Sequence, residues 1–104
     1  MAAGSAALPT LIATLNDPDS HVRAWAAQAI GNIGPDAAAG VPALIALLET
    51  GDEGARNSAC IALRGIGPAA RPALGALRAA LSDPSADVRG FAERAISGIE
   101  GQSR

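Results

Sequence analysis

Apolar positions along the chain fall into two short tracks that return in the same order every 33 residues, three times. In the first track Leu8, Leu11, Ile12 and Leu15 stand at i, i+3, i+4 and i+7, a spacing that puts four side chains on one face of a short helix. Val41, Leu44, Ile45 and Leu48 repeat it, and Leu74, Leu77 and Leu81 repeat it again. The second track runs through Val22, Ala26, Ala29, Ile30 and Ile33, then Ala55, Ala59, Ala62, Leu63 and Ile66, then Val88, Ala92, Ala95, Ile96 and Ile99. Self-similarity at such a period marks a stacked array in which each unit buries its apolar side only against its neighbours. Strand formers never alternate with period two over a useful length. The pattern therefore predicts an all-α stack of three antiparallel helix pairs. It forms one domain over residues 1–104, with units at about 6–38, 39–71 and 72–104. Leu15, Leu48 and Leu81 are expected to share one buried environment.

Punctuation agrees in phase with the periodicity. Asp17-Pro18 and Asp83-Pro84 close the first helices of the outer units, because proline biases its predecessor away from α geometry; Thr50-Gly51 stands there in the middle unit. Asp19, Asp52 and Ser85 are expected N-caps of the second helices. Gly34-Pro35 and Gly67-Pro68 end the first two of those helices, with glycine expected in the left-handed C′ conformation.

Ankyrin and tetratricopeptide units share a similar period, but the Thr-Pro-Leu-His turn of the first is absent. The aromatic positions of the second have no counterpart in a chain without tyrosine. A proline in the first helix, an aspartate eight residues on and a Val-Arg pair opening the second helix instead resemble the HEAT repeat, in the short bacterial form similar to the HEAT-like units of phycobilisome lyases. Pro9, Asp17, Val22 and Arg23 match in the first unit, Pro42 and Arg56 in the second, and Asp83, Val88 and Arg89 in the third. The resemblance implies an α-solenoid, an armadillo/HEAT-like superhelix. It also implies a structural ladder between units made by Asp17, Arg23, Arg56, Asp83 and Arg89, with Thr50 interrupting the middle rung. The alternative for the arginines is a row that binds anions.

Composition narrows the function classes. Eight basic residues, all arginine, face ten acidic ones for a net charge of −2, and no basic stripe emerges of the kind that nucleic-acid binding requires. A lone cysteine forms no intrachain disulfide and suggests no oxidising compartment. The uncharged start of the chain lacks a basic leader segment and is interrupted by Gly4 and Pro9. A cytoplasmic protein without membrane attachment is expected. One histidine and one cysteine are too few for a metal cluster or a nucleophile with its base. His21 reads as a surface residue and Cys60 as a small residue in an alanine-like slot, so neither enzyme activity nor a cofactor is expected.

What remains is surface. With Val22 at the centre of the buried face and 100° per residue, the outward positions are Ala24, Ala27, Gln28 and Gly31, then Asn57, Cys60, Ile61 and Arg64, then Gly90, Glu93, Arg94 and Ser97. Second helices line the concave side of helical solenoids. Gln28, Asn57, Cys60, Ile61, Arg64, Glu93 and Arg94 are accordingly the candidate partner-binding residues of a protein-interaction module or scaffold. The resemblance also admits an accessory subunit of a phycobilin-lyase-type or other protein-modifying complex. The last helix carries Asp87, Glu93, Arg94 and Glu100 and reads as a polar cap, whereas no charge precedes Asp17. Solenoid ends need covering; another copy, a different protein or upstream repeats would each cover this one, and a homo-oligomer through the uncharged N-terminal side is the preferred expectation.

Overall fold

A computed structural model describes residues 3–101, and the last three residues of the third unit lie outside that range. Six α-helices run through the described residues: α1 (Ala3–Thr14), α2 (Ser20–Ile33), α3 (Val41–Thr50), α4 (Glu53–Ile66), α5 (Leu74–Ala80) and α6 (Ala86–Glu100). Each odd helix packs on the even helix that follows it, and the short connections between them set the pairs antiparallel. The even helices also pack closely on one another, α2 on α4 and α4 on α6, while the odd helices touch only lightly. The result is a two-layer α-solenoid, with one layer of first helices and one of second helices.

The local signals act as the sequence suggests. Asp19, Asp52 and Ser85 have extended backbones and accept the N–H groups of His21, Ala55 and Val88 respectively, satisfying donors that the first turn leaves free. In α1 and α5 the final turn tightens ahead of the proline, with Leu15, Asn16 and Asp17 each bonding three residues back, as do Leu81, Ser82 and Asp83. Helix α3, which has no proline there, continues to Thr50.

Gly34 and Gly67 do have positive φ, 72° and 77°, but with ψ of −142° and −146°. This is not the expected left-handed helical cap; it is a region open essentially to glycine alone. The cause is the direction the chain must take after each glycine. It turns at once into 3-10 helices, Gly34–Gly40 and Gly67–Ala73, each opening on a proline. Those segments bury Ala37 and Gly40, and Ala70 and Ala73, with Gly40 set against Leu8 and Ile12 of α1. The stretch Ser20–Thr50 is long and apolar enough to cross a membrane by length and composition, yet the turn at Gly34 divides it into α2, a 3-10 helix and α3.

The core is a continuous seam of Leu8, Leu11, Leu15, Ile30, Leu44, Leu48, Leu63, Ile66, Leu77 and Ile99 with intervening alanines. Leu81 departs from the expected equivalence. Leu15 and Leu48 are buried, but Leu81 is 41% exposed, in the unit that no further helix pair follows among the described residues. Val22 departs at the other end. It is half-exposed where Ala55 and Val88 are buried, and no second helix precedes α2 among the described residues.

Candidate binding groove

Three arginines in register, Arg23, Arg56 and Arg89, stand near the start of the second helices. Arg23 Nη1 donates to the backbone carbonyls of Asp17 and Pro18 at 2.7 and 3.2 Å, and Arg89 Nη1 does the same with Asp83 and Pro84. Arg56 Nη1 reaches the equivalent carbonyl, Gly51, at 3.0 Å. Each arginine thus ties its own helix to the loop before it. Only Arg56 also crosses to the next unit by ion pairing, with Nε at 2.8 Å and Nη2 at 3.1 Å from the two oxygens of Asp83. That fork hydrogen bond holds the Asp83 carboxyl below the usual aspartate range.

The corresponding partner for Arg23 is Thr50, which offers no carboxylate, and the Arg23 guanidinium instead lies against Gly54. Asp17 is therefore not an arginine's ion-pair partner; its Oδ1 accepts the Asp19 N–H at 2.8 Å. The expected ladder is one inter-unit rung rather than a series, and the engaged forks do not form an open anion-binding row. Ser85 adds a second crossing bond, donating from Oγ to Glu53 Oε2 at 2.7 Å.

Across the second-helix layer run two adjoining depressions. The smaller, of about 260 Å³, is lined by Gln28, Cys60, Ile61, Arg64 and Phe91 over a floor of Gly31, Asn32 and Gly65. The larger, about 830 Å³, is lined by Arg64, Glu93, Arg94, Ser97 and Gly98, with Pro35, Pro68 and Gly67 at its edge. Arg64 and Gly65 belong to both, so the two form one groove crossing α2, α4 and α6. Its floor is low because helix backbones meet there: a methyl on Gly31 would lie 3.2 Å from Gly65 Cα. Arg94 sets its guanidinium 5.7 Å from the centre of the Phe91 ring, a cation–π distance.

The structure thus brings together Gln28, Ile61, Arg64, Glu93 and Arg94 from the expected binding set, and it corrects two members. Cys60 is fully buried, a wall behind the groove rather than its exposed floor, and burial pushes its thiol up to about 12. Asn57 lines neither depression; it is half-buried, with an Oδ1 that accepts no hydrogen bond. Ala27, also expected outward, is buried. All three lie on an inner helix flanked by neighbours or on the flank turned toward one, which narrows the free arc below what a single helix pair would leave. Phe91 was missed. It shares its register with the exposed Trp25 and the buried Ser58, so the repeat alone does not mark it as a groove residue.

The family model for HEAT repeats matches residues 8–97. The chain belongs to the HEAT-repeat family. No curated protein matches the sequence. In this HEAT chain the residues of the motif serve architecture: Arg23, Arg56 and Arg89 fasten loops, and Asp83 fastens one unit to the next. None of those bonds shapes the groove. Its lining residues, Gln28, Ile61, Arg64, Phe91, Glu93 and Arg94, all lie outside the motif positions.

Proposed function

We propose that this HEAT-repeat chain is a non-enzymatic scaffold that holds a segment of a partner protein in the groove across α2, α4 and α6. HEAT repeats commonly serve as protein-interaction scaffolds, and the observation that carries the reading here is the continuity of the groove over three helices through Arg64 and Gly65. The close packing of the second helices against the light contact of the first supports a layer that curves toward the groove, as concave binding faces do. Ile61 and Phe91 offer apolar contact, and Arg64 and Arg94 flank them with positive charge. The segment that suits this lining carries an apolar anchor with an acidic residue beside it, presented on a helix or an extended strand.

Support for the non-enzymatic part comes from the chemistry of the two candidate side chains. Cys60 is buried as a neutral thiol, and His21 stands in solvent beside Asp19, an arrangement that gives neither a catalytic companion. The test is retention of a captured partner by variants. Arg64→Glu and Arg94→Glu alter exposed residues and are expected to keep the helical circular dichroism and melting temperature of the parent while losing the partner. Undiminished retention by both variants would refute the groove. Ile61 is partly buried against the core, so Ile61→Asp would also weaken the fold and is the poorer probe.

A further inference from the structure

We propose that the chain pairs with a second copy of itself through the N-terminal end of the stack, α2 against α2 about a two-fold axis, with Trp25 at the centre of the contact. This surface is separate from the partner groove and stands independently of it.

The repeat supplies its own control. Val22, Trp25, Ala29 and Ile33 occupy the same register as Ala55, Ser58, Ala62 and Ile66 in α4. The α4 residues are all buried in a helix that packs on α2; the α2 residues are all partly or largely exposed, with no second helix before α2 among the described residues. Trp25 is the extreme case at 62% exposed. Phe91, the aromatic in the same register of α6, lies back over α4 beside Cys60 and Gly65. The stripe on α2 is therefore a helix-packing face of the type used twice within the molecule, with no neighbour on it among the described residues. Its spacing of three, four and four residues keeps it on one side of the helix.

Charge selects the occupant. None of the four side chains is charged, and Ala7, Pro9, Thr10 and Ala13, exposed on α1, are uncharged too. The opposite end of the stack differs. Arg78 takes the register of Ile12 and Ile45 and pairs with Glu100, while Glu93 takes the register of the buried Ala27 and Cys60. Head-to-tail stacking would press those charges onto an apolar stripe and strip their water without compensation. Apposing two N-terminal ends buries like against like and closes at two copies. An antiparallel α2 pair centred near Ala27 and Gln28 also matches sizes, setting Trp25 against Ala29 of the second copy and Val22 against its Ile33.

Trp25 is the only tryptophan in the chain, so its fluorescence reports on this contact directly. Sedimentation equilibrium and emission spectra of the full 104-residue chain are recorded over a series of concentrations from micromolar to millimolar. The expected result is a monomer–dimer equilibrium with emission shifting to the blue in step with dimer formation. Trp25→Glu, a change at a largely exposed side chain, should remain helical but sediment as a monomer throughout. Leu81→Glu, at the far end, should dimerise like the parent. A parent chain that stays monomeric with unshifted emission overturns the proposal, as does a dimer that survives Trp25→Glu. Open-ended oligomers that Leu81→Glu disperses would instead establish head-to-tail growth and overturn it equally.

Discussion

Arg56 and Asp83 show how much one residue matters to the stack. Both oxygens of Asp83 accept from the guanidinium, and the side chains are 22% and 10% exposed for Arg56 and Asp83 respectively, shielded enough for the pair to feel less screening than a surface ion pair. The Asp83 carboxyl is lowered first by that bond and next by the Ser85 N–H. A lowered carboxylate contributes stability that is complete above the ordinary aspartate range and disappears as pH falls through the lowered value. Asp83→Asn should therefore melt below the parent at neutral pH, and the gap between the two should close in strongly acidic solution. Denaturation curves at both ends of the pH range measure it; a gap that is the same in acid would assign the loss to packing rather than to charge. Asn57 teaches the converse. Its unbonded Oδ1 contributes no hydrogen bond to the fold.

Element boundaries are set by a few punctuating residues, of which the glycines are the sharpest test. At Gly67 nothing lies within 4 Å of where a Cβ would stand, so the cost of Gly67→Ala is conformational alone. With φ at 77° and ψ at −146° the expected loss is about 1–3 kcal/mol. Gly75, inside α5, has equally open surroundings but an ordinary φ, and Gly75→Ala should gain about 0.5–1 kcal/mol from helix propensity. Thermal melts of the two variants should move in opposite directions.

At this scale the sequence was most readable: caps, breakers and apolar spacing each depend on residues close in the chain, and Asp19, Asp52, Ser85, Gly34 and Gly67 all carry their roles in their chemistry. The 3-10 helices were not readable, because the burial of Ala37, Gly40, Ala70 and Ala73 comes from packing on other helices, which the local sequence does not contain. The groove was readable in part. Gln28, Ile61, Arg64, Glu93 and Arg94 follow from helical phase, but Ala27 and Cys60 are hidden by contacts between units that no single-helix projection contains.

The molecule as a whole is a slab, 36 × 36 × 19 Å, two helix layers thick. Helices of 7 to 15 residues are marginal alone in water, so the stack stands by the seam shared between units. A change at its centre and a change at its end should accordingly differ. Leu44 is fully buried in the middle unit, and Leu44→Ala is expected to cost about 2–5 kcal/mol. Leu81, although it holds an equivalent place in the repeat, is already 41% exposed, and Leu81→Ala should cost under about 1 kcal/mol. Chemical denaturation of both variants checks the pair, and equal losses would mean that the end of the stack is covered in solution.

Gly31 and Gly65 bring two backbones together with no side chain between them. A joint of that kind has no slack for compression, whereas α1, α3 and α5 barely touch. Any side chain larger than hydrogen at Gly65 would have to force α2 and α4 apart at this point.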